Sequence, residues 1–389
     1  MTDNRACPSC GTVAQGESNF CENCGAALSA SPVDTLRVLV TEPALSEPSP
    51  MDDLGSGPIS RATSQTSAPT APPTAIPACA SCGGTVGPDG YCEQCGVKAL
   101  SPRDHFREQA APWVAGVCDK GIRHHRNEDA MTMVASPDGT AADRRAVLIV
   151  LDGVSNTDDS QIGSLAGARA ALDALRVPLP RGMGTPDGVL SAVTRAMSEA
   201  AKAANAQVTA AAPADAKNPA SATYCAAVLE GDMLTYANVG DSRIYWLPDG
   251  EPGVQLSVDD SAAQDQMDAG VPRAVAETSA QAHAITKWLG RDSEDHTPRV
   301  GQLALTTPGW LLVCSDGLWN YASEPSALAA QIAKAASTEP AALALALTDF
   351  ANTSGGQDNI TTVLARVTTV QNADQTSTAT STTREQPHG

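Results

Sequence analysis

The chain has 389 residues, with 25 Lys and Arg against 44 Asp and Glu, a formal charge of −19. That acidity argues against nucleic-acid binding, which needs a basic surface to meet phosphate. No apolar run approaches the ~20 residues that span a bilayer, and the opening Met-Thr-Asp-Asn-Arg lacks a signal-peptide core, so a cytoplasmic protein with no membrane partner is expected. At roughly 100–200 residues per domain the length predicts two or three units. The 11 cysteines are an odd count in a chain without an export signal, which favours metal binding over a disulfide scaffold.

Eight of those cysteines precede residue 96, as Cys7-x2-Cys10, Cys21-x2-Cys24, Cys79-x2-Cys82 and Cys92-x2-Cys95. Each cluster is CxxC, a spacer of ten or nine residues, then CxxC followed by Gly25 or Gly96. Two CxxC turns facing one another present four thiolates in a tetrahedron, the arrangement that suits Zn²⁺. A redox CxxC would need a βαβ context that is absent. The clusters resemble zinc ribbons, giving expected modules at 1–28 and 78–104, each with one structural zinc. Four thiolates leave no open coordination position, so catalysis by this zinc is not expected. Residues 1–112 carry 12 acidic and six basic side chains, so a protein partner fits the ribbons better than nucleic acid.

Between the clusters, residues 29–77 hold nine of the 27 prolines with much Ser, Thr and Ala. Such a composition buries too little apolar surface to offset its ordering entropy, and a flexible linker spanning roughly 40 Å is expected. Leu36 to Val40 is read as a sticky patch within it, not a docking strand.

From Trp113 the texture changes. Ala146 to Leu151 is a continuous apolar run ending in Asp152-Gly153, as a buried strand would. Helical spacing covers 159–176 and 186–210. Strands are predicted at Thr223–Leu229 and Met233–Val239, joined by a Gly231-Asp232 turn, and at Arg243–Leu247, Trp310–Cys314 and Ile360–Val367. Two helices split by Glu339-Pro340 are predicted over 324–351. Cys118, Cys225 and Cys314 sit singly in apolar runs and read as core residues. Clustered hairpins with paired helices favour an antiparallel α+β layering over a doubly wound parallel sheet. The 371–389 tail is Thr, Ser and Gln and reads as disordered, leaving 105–370 as the main domain.

Acidic residues recur at the ends of these strands: Glu128-Asp129, Asp152-Gly153, Asp241-Ser242-Arg243, Asp316-Gly317 and Asp358-Asn359. Carboxylates converging at one sheet edge repel one another unless hard divalent cations compensate them. Taken singly, each Asp-Gly is more often a turn, and spacing alone does not prove convergence.

The series Gly121-Ile-Arg-His-His-Arg-Asn-Glu-Asp129, Leu-Asp152-Gly, Asn-Val-Gly-Asp241-Ser-Arg, Cys-Ser-Asp316-Gly-Leu and Gly-Gly-Gln-Asp358-Asn-Ile resembles, in wording and order, the metal-dependent Ser/Thr protein phosphatases of the PPM or type 2C family. Gln255-Leu-Ser-Val-Asp-Asp-Ser and Ile285-Thr-Lys-Trp-Leu-Gly also fit, so the resemblance covers about 113–368. It implies a four-layer sandwich of two antiparallel sheets flanked by helices. It also implies two Mn²⁺ or Mg²⁺ ions, with Asp152 bridging them, the Gly153 carbonyl on one, and Asp316 and Asp358 on the other. Glu128 and Asp129 would ligate directly or through water, and Asp241 with Asp316 would match a third, weaker site. Two such ions activate a water and stabilise an in-line displacement on a phosphoprotein substrate of a Ser/Thr kinase, with no covalent phosphoenzyme.

This sequence departs from the family at two places. The usual phosphate-gripping Arg is replaced by His124, flanked by Arg123 and Arg126. One of the arginines, or protonated His124, would take over, and bidentate guanidinium geometry favours Arg123. The usual glycines after Asp152-Gly153 are replaced by Val154-Ser155-Asn156. Val154 is no general acid, so water would protonate the leaving oxygen. These departures keep a second reading open, a weak or inactive phosphoprotein-binding scaffold. His125, His283 and His296 read as surface residues rather than ligands, and 259–281 falls at the family's variable flap.

Overall fold

The computed structural model describes residues 5–6, 13–14, 82–87, 90–97, 99, 101–140, 143–155, 157–180 and 184–368. Cys7, Cys10, Cys21, Cys24, Cys79 and Asn156, with the 29–77 linker and 371–389 tail, lie outside the described residues. The chain divides into two compact units, Ala30–Leu100 and a larger one that includes Ser101 onward. Strands β1 (Arg5–Ala6) and β2 (Val13–Ala14) pair antiparallel.

In the smaller unit a tight hairpin brings Val86 opposite Cys92. Gly87 N–H donates to the Tyr91 carbonyl at 2.8 Å, and Gly96 N–H donates to the Cys92 carbonyl at 2.8 Å. Gly96 has φ +71°, the left-handed conformation that closes the CxxC turn and that only glycine adopts at no cost. Val86 and Cys92 are buried, with Ala99 packed against them.

The larger unit runs, in chain order, β3 (His105–Ala111), β4 (Val114–Asp119), β5 (Ala130–Ala135), β6 (Arg145–Leu151), α1 (Ser160–Leu175), α2 (Pro186–Ala211), β7 (Ser221–Ala222), β8 (Tyr224–Glu230) and β9 (Met233–Val239). It continues with β10 (Arg243–Pro248), β11 (Val254–Gln255), α3 (Ala262–Asp268), α4 (Arg273–Ala276), β12 (Leu289–Gly290), β13 (Arg299–Ala304), β14 (Gly309–Cys314), α5 (Asp316–Trp319), α6 (Pro325–Ala335), α7 (Pro340–Ser354) and β15 (Ile360–Val367). One sheet has the order β11-β10-β14-β15-β4-β3, and the other β13-β9-β8-β6-β5. Every neighbouring pair in both is antiparallel. The expected α+β sandwich of two antiparallel sheets flanked by helices is therefore present.

The central strands read as continuous apolar runs because both of their faces are covered. On β6, Ala146, Leu148 and Val150 point between the sheets, where they join Ile244, Leu311, Val313 and Val363. The alternate residues Val147, Ile149 and Leu151 point the other way, onto the Ala-rich faces of α1 and α2. Strand β14 alternates likewise, with Leu312 and Cys314 packing on Leu343, Leu347 and Ala351 of α7. Cys118, Cys225 and Cys314 are all fully buried, as expected of core residues.

Local signals set the boundaries. Thr185 caps α2, its hydroxyl accepting from Gly188 N–H at 3.3 Å, and Pro186 follows at the first helical position. Glu230 pairs with Met233 across a two-residue Gly231-Asp232 turn, with Gly231 at φ +60°. The helices predicted over 324–351 form with the break at Glu339-Pro340. Strands β3, β5 and β13 were not legible as apolar runs. All three lie at sheet edges, and in β3 and β13 polar side chains replace the two-faced apolar pattern.

Candidate metal site

Antiparallel register decides which residues meet. In one sheet Ala130 at the start of β5 pairs with Leu151 at the end of β6, and Val150 pairs with Cys225 near the start of β8. In the other, Arg243 at the start of β10 pairs with Cys314 at the end of β14, which pairs with Thr362 of β15. Glu128, Asp129, Asp152, Asp241, Asp316 and Asp358 each flank one of those strand ends, so six carboxylates from both sheets share one edge of the sandwich. Register aligns the strand ends within each sheet, and the charge effects of Asp129, Asp241, Asp316 and Asp358 on Asp152 show that these groups lie close together.

Polar links across the sheets hold them there. Asp129 Oδ2 accepts from Ser315 Oγ and from Thr361 Oγ1, each at 2.7 Å. Asn359 Oδ1 accepts from Glu128 N–H at 2.7 Å, while its amide donates to the Lys120 and Arg126 carbonyls at 2.8 and 3.1 Å. Glu128 Oε1 accepts from Ser160 Oγ at 2.5 Å and from Arg126 Nη2 at 2.9 Å. Asp152 N–H donates to Thr223 Oγ1 at 3.1 Å. Two glycines permit the close approach: a Cβ on Gly153 would lie 2.6 Å from the Glu128 carbonyl oxygen, and one on Gly317 only 1.9 Å from that of Asn359.

The electrostatics are those of a buried carboxylate cluster. Burial raises the pKa values of Asp152 and Asp316 well above the usual carboxylate range, and neighbouring carboxylates push the same way. Burial first, and Asp259 next, carry Asp241 up to about 7. Burial lifts Asp129 to about 6 against its two hydroxyl donors. Glu128 differs: burial acts upward, but hydrogen bonding from His124, Ser160 and Arg126 outweighs it and holds the group at about 2. Asp129 Oδ1 and Asp316 Oδ1 are buried with no hydrogen-bond partner. Two orphaned carboxylate oxygens in an oxygen-only cluster fit hard divalent cations such as Mn²⁺ or Mg²⁺.

The three basic residues at the motif take different positions. Arg126 turns inward onto Glu128 and the Thr157 carbonyl. His124 lies between two carboxylates, Nε2 3.1 Å from Asp358 Oδ1 and Nδ1 3.7 Å from Glu128 Oε2. Glu128 first, and Asp358 further down, raise its pKa against partial burial. Arg123 donates its main-chain N–H to the Gly356 carbonyl at 3.0 Å and leaves its guanidinium exposed. Val154 N–H donates to the Ser221 carbonyl at 2.9 Å, and Thr157 closes a turn back onto Val154.

A cavity of about 430 Å³ is lined by Asp316 and Asp358 together with Glu277, His283, Trp319 and Tyr321. Asp259, at the start of the stretch read as a variable flap, is a buried partner of Arg243. The guanidinium grips it through Nε at 3.0 Å and Nη2 at 2.7 Å, reaches Glu277 at 2.8 Å, and stacks 3.5 Å from the Trp319 ring centroid. Trp319 Nε1 in turn donates to the Asp241 carbonyl at 2.9 Å. His125 and His283 are exposed and His296 is half-buried.

In the smaller unit, ligand atoms of Cys82, Cys92 and Cys95 all lie within 4.8 Å of one another. Cys82 Sγ and Cys92 Sγ are 3.5 Å apart, and hydrogen bonding from the Cys95 main chain is the main cause that brings the Cys92 thiol down to about 6.

The two-sheet sandwich thus carries a buried acidic cluster at one end. The chain belongs to the protein phosphatase 2C family, whose model matches residues 123–353. Among curated relatives, protein phosphatase PhpP of Streptococcus pneumoniae is 35% identical over 142 residues, 36% of this chain and 54% of that protein. The chain thus spans about half the length of that relative. PstP, a serine/threonine protein phosphatase of Mycobacterium tuberculosis, is 32% identical over 148 residues, 37% of this chain and 27% of that one. Among solved structures, the M. tuberculosis phosphatase PstP/Ppp aligns with a TM-score of 0.52 at 25% identity, over 66% of this chain and 98% of that one. The Mycobacterium smegmatis PPM Ser-Thr phosphatase MsPP, in complex with cacodylate, aligns with a TM-score of 0.50 at 27% identity, over 65% and 97%.

Proposed function

We propose that this chain is a divalent-metal-dependent protein serine/threonine phosphatase that hydrolyses phosphoserine and phosphothreonine. One observation carries this reading: six carboxylates meet at one sandwich edge, their pKa values mostly raised, with Asp129 Oδ1 and Asp316 Oδ1 left unpartnered. Asp152, the Gly153 carbonyl, Asp316 and Asp358 would hold two Mn²⁺ or Mg²⁺ ions, with Glu128 and Asp129 completing the shell and Asp241 with Asp316 serving a third. Bound there, the ions supply a water nucleophile at neutral pH and stabilise charge on the phosphoryl oxygens during in-line displacement. The exposed Arg123 guanidinium is the group suited to grip the substrate phosphate, because Arg126 and His124 are already committed to Glu128 and Asp358. With Val154 aliphatic, solvent delivers the proton to the leaving serine or threonine oxygen.

The test is turnover of p-nitrophenyl phosphate by the full chain with added Mn²⁺. Activity that disappears in Asp152→Ala is expected. No turnover by folded, Mn²⁺-treated protein would replace the enzyme reading with that of a phosphoprotein-binding scaffold.

The cysteine modules fit structural zinc. Around a Zn–S bond of about 2.3 Å, tetrahedral sulfurs lie roughly 3.8 Å apart, close to the 3.5 Å between Cys82 and Cys92. Cys79 would complete that site, and Cys7, Cys10, Cys21 and Cys24 a second. Their job in this reading is to dock a protein partner, in a cytoplasmic protein acting on substrates of a Ser/Thr kinase. Metal analysis of the purified chain should return about two zinc ions per molecule, falling to one in Cys92→Ser.

A further inference from the structure

We propose that Arg103 is a positioning residue for the metal-binding carboxylates, fixing the main chain on both sides of Glu128; this rests on reading the acidic cleft as a divalent-metal centre. Arg103 sits in a turn just before β3. Ser101 N–H donates to Asp104 Oδ2 at 2.9 Å, and Arg103 N–H donates to Ser101 Oγ at 3.2 Å, so the turn is closed by its own side chains. The guanidinium then spans two elements. Nη2 donates to the carbonyl of Asp129 at 2.8 Å, and Nη1 to the carbonyl of Gln161, in the first turn of α1, at 2.5 Å.

Glu128 lies between those two anchor points. Its carboxylate accepts from Ser160 Oγ and its carbonyl from Ser164 Oγ, each at 2.5 Å and both on α1. The spacing between the start of β5 and the start of α1 therefore sets where Glu128 and Asp129 point, and the Arg103 fork ties those two starts together. Asn127 closes the circuit, its amide donating to the Arg103 carbonyl at 2.8 Å while its Oδ1 accepts from Asp129 N–H at 3.2 Å.

Among the described residues Arg103 makes no ion pair, and burial pushes its pKa below the ordinary value. A half-buried guanidinium committed to two neutral carbonyls is a costly way to fill space. An aliphatic side chain would pack there more cheaply but could not fix two carbonyls at once. Only the planar fork does so, which makes Lys a poor substitute despite its charge.

The test is calorimetric titration of EDTA-stripped full chain with Mn²⁺, alongside the Mn²⁺ dependence of p-nitrophenyl phosphate hydrolysis. Groups that orient metal ligands typically contribute 10–100-fold to affinity. Arg103→Met should weaken Mn²⁺ binding at least about tenfold and raise the Mn²⁺ concentration for half-maximal rate by the same factor, with Arg103→Lys intermediate. Mn²⁺ affinity within twofold of wild type in Arg103→Met overturns the proposal. Should that variant not fold, wild-type affinity in Arg103→Lys overturns it equally. Wild-type protein that binds no Mn²⁺ removes the metal-centre reading and this proposal with it, whereas unchanged affinity in the Arg103 variants removes this proposal alone.

Discussion

At the scale of single residues, the site depends on atoms that sequence motifs do not mark. Asp152, Asp241, Asp316 and Asp358 were legible as carboxylates after strands, but the hydroxyls of Ser160, Thr223, Ser315 and Thr361 that orient the cluster were not, because hydroxyls near strand ends are commonplace. Asn359 had a faint signal beside Asp358; its three hydrogen bonds, to Glu128, Lys120 and Arg126, were invisible until the chain folded. Gly317 gives the sharpest prediction here. An added Cβ lands 1.9 Å from the Asn359 carbonyl, so Gly317→Ala must displace the loop that carries Asp358. Overpacking of this kind costs about 1–3 kcal/mol, read as a lower urea midpoint, and Mn²⁺ affinity should fall with it. Arg123→Ala should act differently. A charged hydrogen bond contributes about 1.5–3 kcal/mol, so KM for a phosphopeptide should rise about tenfold or more while the thermal midpoint stays put.

At the scale of elements, the Arg243 cluster joins β10 to the segment carrying α3 and α4 and to α5. Its guanidinium contacts Asp259, Glu277 and the Trp319 ring, and Ser323 Oγ donates to the far oxygen of Glu277 at 2.5 Å. Sequence placed both Asp259, which also ends a motif, and Glu277 in the family's variable flap, without reason to pair them, since eighteen positions separate them and neither follows a periodic pattern. Removing Arg243 leaves the fully buried Asp259 without its ion-pair partner, while Glu277 keeps Arg273 Nη1 at 3.3 Å. Breaking a buried pair in this way costs about 3–5 kcal/mol. Arg243→Ala should therefore lower the denaturation free energy by about that amount, and amide exchange in 259–285 should accelerate more than in β6 or β14. The elements themselves were easier to read. Both-face burial made β14 and most of β6 and β8 apolar, and the Pro positions fixed where α2 and α7 begin.

At the scale of the whole molecule, part of the −19 charge is gathered at one edge. Asp129 and Asp241 rise to about 6 and about 7, Asp152 and Asp316 are likewise raised well above the usual carboxylate range, and an unfolded aspartate titrates near 4. Between about pH 4 and 7 the metal-free folded state therefore binds more protons than the unfolded one, and stability falls as pH rises through that window. His124, its pKa also raised, contributes in the same direction, since its stabilisation is lost on deprotonation. EDTA-treated protein should melt at a lower temperature at pH 8 than at pH 5.5. Mn²⁺ should reverse the order, because metal binding displaces those protons. A metal-free midpoint that climbs with pH would contradict the cluster. The sequence by itself determined the antiparallel α+β layering and the paired helices, because burial restricts residue type and that restriction survives in one dimension, while the sandwich and the six carboxylates were marked by the family resemblance. Only the tertiary structure decided that the carboxylates share one edge, that Arg126 and His124 turn inward while Arg123 does not, and that Arg103 reaches the carbonyl of Asp129. Those facts depend on strand register and on contacts between residues far apart in the chain, which no local pattern encodes.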